Sequence, residues 1–254
     1  MSNDSLSIMQ EYKQWANTND QHGRHAFARY VMLKYLEAVQ SISKDFVFKG
    51  GNLLWHYIQT PRHTVDLDLS TLTSSSHDEV RLLLTRACFH YENISFNIME
   101  FKEINRERGS GAAITIKYKT DMGQKNQFEL DVMYSLPTDL EKVKSTIREV
   151  KIQSASLENI IIDKISAAHS FASGNTRIKD FDDLWRIMKS ESQIDSDKLK
   201  VLFKMKGISP QLDLNWVDKD MQKRWKSHLR LYKDLPSELK EIFQQINIWL
   251  DSLN

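Results

Sequence analysis

Phe48-Lys49-Gly50-Gly51-Asn52-Leu53-Leu54 and, past Pro61, Arg62-His63-Thr64-Val65-Asp66-Leu67-Asp68-Leu69-Ser70 are the two stretches on which the reading of this chain turns. The first ends a short apolar run, Asp45 to Lys49, with two glycines, and from Asn52 to Ile58 the apolar spacing becomes helical until Pro61 closes it. The second alternates with a period of two, as a strand does, so Asp66 and Asp68 project from the same face. Val65, Leu67 and Leu69 are expected on the other face, in a core. Two carboxylates held that close repel each other unless a cation lies between them, and oxygen ligands that leave room for water and phosphate suit magnesium.

Working outward, Phe27, Tyr30, Val31, Leu33, Leu36 and Val39 recur at helical spacing, so two helices are expected between Ser5 and about Ser41. After the acid pair, Ser74-Ser75-Ser76 leads into a helix from about Asp78 to His90. Three alternating runs follow, Ile94 to Phe101, Ala113 to Tyr118 and Gln127 to Tyr134, divided by expected turns at Gly109-Ser110-Gly111 and Asp121-Met122-Gly123. They predict neighbouring antiparallel strands. In the last of them, Phe128-Glu129-Leu130-Asp131-Val132-Met133, Asp131 stands between apolar neighbours as the third acid a two-metal centre needs, and Glu129 shares its parity as a supporting group.

A further strand is expected from Glu149 to Gln153, and from Leu157 the pattern is helical almost to Asn254, broken near Gly207 to Pro210 and at Pro236. The expected fold class is therefore α+β. Residues 1–150 form a domain with a mixed or antiparallel sheet flanked by helices, and residues 151–254 form a helical domain.

Composition narrows the functional classes. Of 254 residues, 41% are hydrophobic and 27% charged, which excludes a disordered chain, and a net charge of +1 means that a nucleic-acid partner must be held by a local patch. No stretch reaches the roughly 20 apolar residues of a membrane span, and Met1 to Tyr12 lacks a signal-peptide layout, so a cytoplasmic protein is expected. Cys88, the single cysteine, rules out an internal disulfide and a thiolate zinc cluster and is expected in the core.

An Asp-x-Asp pair alone also occurs on exposed edge strands. What such an edge would not need is a diglycine turn whose bare amides and following helix N-terminus can receive a triphosphate, then a basic segment, then the acids. In this order the chain resembles the AbiEii/AbiGii-type nucleotidyltransferase toxins, which include the MenT-type toxins and belong to the DNA polymerase beta-like nucleotidyltransferase superfamily. The resemblance lies in Phe48 to Leu54, in Arg62 to Leu69, in Asp163-Lys164-Ile165-Ser166-Ala167, and in Arg177-Ile178-Lys179-Asp180-Phe181-Asp182-Asp183-Leu184, and spans roughly residues 25 to 190. Where the family usually has Thr or Ser after the glycines, this chain has Asn52.

The resemblance implies a polymerase beta-like fold whose helical C-terminal part completes the nucleotide cleft. It implies catalysis by Asp66, Asp68, Asp131, Lys164 and Asp180, with the first three holding Mg2+. Gly50, Gly51, Asn52, Arg62 and Lys164 would bind the nucleoside triphosphate co-substrate. Asp183 shares a helical face with Asp180, which ranks above it; His63 is expected to be a solvated loop residue. The resemblance also implies a cognate antitoxin and, for some members, tRNA 3′ ends as acceptor. Lys219, Lys223, Arg224, Lys226, His228, Arg230 and Lys233, interleaved with Trp216, Trp225 and Tyr232, offer a surface for RNA, although the tryptophans also read as core anchors with solvated lysines around them. Arg106, Arg108 and Lys117 offer a second acceptor-side patch. Two rival readings are a protein-nucleotidylating enzyme and a non-catalytic nucleotide-binding module, the latter requiring that the three acids do not share a face.

Overall fold

The computed structural model describes residues 6–72, 76–106, 109–148 and 150–253, with the side chains of 105, 106 and 109 set aside. The chain divides into two compact units, one made of Met1–Leu53 and His63–Ala155, the other of Leu54–Arg62 and Ser156–Asn254.

Among the described residues the first unit is built on a seven-stranded sheet. Its strands are β1 (Phe46–Lys49), β2 (Asp66–Thr71), β3 (Ile94–Arg106), β4 (Gly109–Thr120), β5 (Lys125–Met133), β6 (Leu140–Lys144) and β7 (Lys151–Ala155). They lie in the order β3-β4-β5-β2-β1-β7-β6. The β2–β5 and β1–β7 pairs are parallel, and the other pairs are antiparallel. A parallel pair needs a long connection, and here β3 and β4 form an antiparallel hairpin within the excursion that brings β5 back beside β2.

Helices α1 (Ile8–Thr18), α2 (Arg24–Ile42) and α4 (His77–Ala87) belong to the same unit, while α3 (Gly50–Ile58) starts in it and ends in the other. Ser7 and Ser76 accept from backbone amides in the first turns of α1 and α4, supplying partners for donors that a helix start leaves open. One sheet face is apolar: Leu67, Leu69, Ile114, Leu130 and Val132 are fully buried there. Tyr35 of α2 packs against Phe96 and Phe128 and donates to the Leu84 carbonyl of α4. Cys88 is buried beside it, and burial pushes its thiol pKa up.

The second unit is helical: α5 (Leu157–Phe171), α6 (Ile178–Lys189), α7 (Ser196–Lys206), α8 (Lys219–His228) and α9 (Leu239–Ser252). Phe181 of α6 and Phe243 of α9, both fully buried, meet at 4.6 Å in its core. Among the described residues no helix is long and apolar enough to cross a membrane.

Four expectations need correction. Val65 precedes β2 and is 69% exposed, so only Leu67 and Leu69 carry the core face. Gly109-Ser110-Gly111 is the start of β4, because the β3–β4 pairing runs four to five residues beyond the apolar repeat at each strand; Asn105 stands opposite Ser110, and 107–108 lie outside the described residues. The strand expected at 149–153 is β7, two residues later, and its antiparallel partner β6 was not anticipated. Ser74 and Ser75 also lie outside the described residues.

Candidate active site

The strand register fixes the relation among the acids. In the parallel β2–β5 pair, Asp68 stands opposite Asp131 and Asp66 opposite Glu129. Partners in register on adjacent strands point to the same face, with backbones about 4.8 Å apart, so Asp66, Asp68, Glu129 and Asp131 share the face opposite Leu67, Leu69, Leu130 and Val132. Asp66, Asp68 and Asp131 are half-buried, while Glu129 is exposed and accepts from Thr115 Oγ1 at 2.9 and 3.1 Å. On the other side of β2, Lys49 of β1 stands opposite Asp68. Strand parity would have placed Lys49 in this row, had β1 been recognised as the neighbour of β2.

Gly50 follows Lys49 with φ of +76°, a backbone that side chains resist. A Cβ there would fall 1.8 Å from Asp68 Oδ2, so the carboxylate lies in the space the glycine leaves open, at the start of α3. Gly51, buried, is the second residue of that helix. The first-turn amides of a helix have no partner within it and carry the positive end of its dipole, the property that suits Gly50 and Gly51 to an anion.

Asn52 departs from its expected role. Its side chain is fully buried: Nδ2 donates to the Asp66 carbonyl at 2.6 Å, and Oδ1 accepts from Arg29 Nε at 3.3 Å. The side-chain amide is turned inward, so position 52 offers a ligand its backbone N–H only. His63 is exposed and stacks on His25 at 4.1 Å. Burial, then the neighbouring His25 and Arg29, lower the His63 pKa.

The donor set on the acid face is all oxygen, which fits a hard divalent cation. Among the described residues, no three His, Cys, Asp or Glu side chains are gathered closely enough to hold one ion among themselves. That geometry is compatible with magnesium, which usually takes one or two carboxylates and completes its shell with water and substrate phosphates.

The second unit holds a separate polar cluster. Lys164 of α5 donates from Nζ to Asp180 at 3.1 Å and to Asp183 at 2.6 Å, both on α6. Arg62 makes a two-pronged contact with Asp183 at 2.6 and 3.0 Å, and Arg177 reaches Asp180 at 2.5 Å. Burial pulls the Lys164 pKa down, but Asp180 and Asp183 outweigh it and the net direction is up. For Asp180, burial pushes upward and is overcome by Lys164 and Arg177, leaving it at about 2. These contacts join three cations to two carboxylates, one positive charge in excess, with the Arg177 side chain 47% exposed.

Several readings are sharpened here. Lys164 is paired with Asp180 and Asp183, while Asp163, its sequence neighbour, accepts from Asn159 instead. Asp183, ranked below Asp180, is used as fully: it receives Lys164 and Arg62, as Asp180 receives Lys164 and Arg177. Arg62 is 6% exposed, a buried ion-pair partner and not an open loop cation.

Along α8, Lys219, Lys223 and Lys226 recur at helical spacing and, with Arg230 just past its end and Lys240 of α9, line a cavity of about 520 Å3 that also contains Asp218 and Glu238. Trp225 faces the other way, fully buried, with Nε1 donating to the Pro236 carbonyl. This helix is thus both a core anchor and a basic stripe. Trp216 packs edge-on against His169, and Tyr232 lies beside His228 and Arg186. Lys117 is exposed on β4; the side chain of Arg106 and the whole of Arg108 lie outside the described residues.

Two solved structures from H. pylori share this fold. One is described as a candidate nucleotidyltransferase, 13% identical, covering 91% of this chain and 96% of its own with a TM-score of 0.53. The other, JHP933, is 14% identical and covers 91% of this chain and 92% of its own with a TM-score of 0.52. No curated protein matches the chain. The family model described as nucleotidyl transferase AbiEii toxin, type IV toxin–antitoxin system, matches residues 34–245, a span that takes in the diglycine turn, all three acids and the Lys164 cluster. The chain therefore belongs to the AbiEii family of nucleotidyltransferase toxins.

Proposed function

We propose that this nucleotidyltransferase moves the nucleoside monophosphate of a nucleoside triphosphate onto an acceptor hydroxyl at the 3′ end of an RNA, a tRNA being the expected substrate, with Mg2+ as the ion. The observation that carries the reading is the alignment of Asp68 with Asp131, with Asp66 on the same face and Gly50 beneath the Asp68 carboxylate.

In the reaction the acceptor hydroxyl gives up its proton to solvent, its oxygen bonds to the α-phosphorus, the bond from that phosphorus to the bridging oxygen breaks, and pyrophosphate leaves. Asp66, Asp68 and Asp131 would share the holding of Mg2+, one or two carboxylates to an ion, with water and substrate phosphates completing each shell. When bound, it would lower the pKa of the acceptor hydroxyl and offset charge gathering on the pyrophosphate oxygens. Asp131 is the residue assigned to the acceptor side, and Asp66 and Asp68 to the nucleotide. The amides of Gly50 and Gly51 are assigned to phosphate oxygens.

Lys164 is assigned to the triphosphate. Asp180 and Asp183 keep it charged and Arg62 buttresses Asp183, so the cation acts without losing its proton. The α8 stripe supports RNA as acceptor, since a line of lysines matches a phosphate backbone better than it matches a lone protein hydroxyl. A family of toxin–antitoxin systems implies a cognate antitoxin, and an RNA acceptor implies work in the cytoplasm.

The test is to incubate the purified chain with each α-labelled nucleoside triphosphate, Mg2+ and either total RNA or an RNA-depleted extract. Label appearing on small RNA 3′ ends supports the reading. Label on protein alone gives the acceptor to a side chain, and label on neither in the presence of any metal contradicts transfer by this chain.

A further inference from the structure

Asp66 is the first residue of β2, and strand ends are where a backbone is least constrained. Its neighbour β1 does not reach it: the pairing runs from Phe46 opposite Thr71 to Lys49 opposite Asp68, and then the chain turns into α3 at Gly50. No β1 residue is available to pair with Asp66. The Asn52 side chain, in the first turn of α3, supplies the missing donor by placing Nδ2 2.6 Å from the Asp66 carbonyl.

That amide is itself held. Arg29 of α2 is buried, donates from Nε to Asn52 Oδ1 at 3.3 Å and from a terminal nitrogen to Gln21 Oε1 at 2.9 Å. An amide with its oxygen toward a guanidinium can only present its NH2 to the opposite side, so Arg29 fixes which end of Asn52 meets Asp66. A guanidinium and a primary amide are costly to bury, and apolar side chains of the same volume would pack between α2 and α3 more cheaply. What the polar pair adds is a single orientation.

We infer that Arg29 and Asn52 are a positioning pair for the acid strand, holding the Asp66 backbone so that its carboxylate stays aligned with Asp68 and Asp131. The inference rests on the proposed role of those acids and assigns this chain a second layer of residues behind them. A catalytic constellation tolerates displacements of only about 0.5 Å, and Asp66 is paired with Glu129 of β5 on one side but with no residue of β1 on the other.

The pair is tested with Asn52→Asp, which keeps size and the Arg29 contact but replaces the donor with an oxygen that repels the Asp66 carbonyl, and with Arg29→Gln and Arg29→Lys. Melting temperature, kcat, KM for the nucleotide and the half-saturating Mg2+ concentration are measured on each. Asn52→Asp and Arg29→Gln are expected to lower kcat about 10- to 100-fold and to raise the Mg2+ requirement, with nucleotide KM much less affected, as for supporting residues behind metal ligands. Arg29→Lys, which keeps a donor, should recover most of the activity.

A merely structural role would lower melting temperature without moving the Mg2+ requirement. Folded variants whose kcat and Mg2+ requirement stay within about twofold of the wild type, while Asp66→Ala is inactive, overturn the pair and leave the acid centre standing. If Asp66→Ala itself stays fully active, the acid centre falls and the pair falls with it. Should Asn52→Asp fail to fold, the contrast between Arg29→Gln and Arg29→Lys decides by the same two readouts.

Discussion

The Asp68 carboxylate occupies the space that Gly50 leaves by having no side chain: a Cβ there would stand 1.8 Å from Oδ2. The turn that starts α3 and the acid of β2 are therefore one feature, and neither can change alone. Gly50→Ala should displace the carboxylate and also force a side chain into positive φ, at a backbone cost of about 1–2 kcal/mol. The expected outcome is a chain that folds with a lowered melting temperature and loses at least about 100-fold in transfer rate, in keeping with the sensitivity of catalysis to misplacement by about 1 Å. Near-wild-type turnover in this variant would show that the Asp68 position is not critical.

Lys164→Met removes the cation that Asp180 and Asp183 share and leaves the first to Arg177 alone and the second to Arg62 alone, with one hydrogen bond fewer at each buried carboxylate. Breaking a buried pair in this way typically costs about 3–5 kcal/mol. Chemical denaturation should register a loss of that order together with loss of activity. The double variant Lys164→Met with Asp183→Leu should be less stable still and equally inactive, because it also takes away the carboxylate that the buried Arg62 contacts.

The same cluster sets an acid limit. The Asp180 pKa is depressed to about 2 from an ordinary 3.8, so its contribution to stability is complete above 3.8 and disappears as pH falls toward 2. Lys164 is shifted the other way: its contribution is present below the ordinary 10.5 and fades only as pH rises past its raised value. Unfolding free energy measured against pH should fall between 3.8 and about 2, and Asp180→Asn should flatten that part of the curve.

How much of this was legible in the sequence depends on whether the signal was local. Asp66, Asp68 and Asp131 could be aligned in advance because strand parity assigns a face from neighbouring residues, and the buried Leu67, Leu69, Leu130 and Val132 keep that parity unambiguous. Lys164 and Asp180 came from the family resemblance, and helical spacing on α6 added only that Asp183 shares a face with Asp180. Arg62 was assigned to the nucleotide and not to this cluster, since its partner Asp183 lies 121 residues away and no local pattern joins them. Asn52 was misread for a similar reason: at a helix start a polar amide looks like a ligand group, and only the approach of α2 turns it inward. Strand β6 escaped because Val143 is its one buried side chain, too few for an alternating pattern.

Reversing the stripe on α8 separates acceptor binding from chemistry. Lys223→Glu, Lys226→Glu and Arg230→Glu together leave the buried Trp225 untouched and change only exposed charge. RNA affinity should drop and its salt dependence should become shallower, because fewer phosphate contacts release fewer counterions. The melting temperature should move little. Unchanged RNA affinity would take the acceptor away from this surface.

Pyrophosphate release from wild type and Asp131→Asn, followed as Mg2+ is titrated in the presence of nucleoside triphosphate and RNA, tests the acid centre most directly. Asp131 shares a face with Asp66 and Asp68 through the β2–β5 register alone. Mg2+-dependent release is expected from the wild type, and at least about a 100-fold slower rate from a folded Asp131→Asn chain that still binds nucleotide. Release at the wild-type rate and with the wild-type Mg2+ dependence in Asp131→Asn would contradict the acid centre.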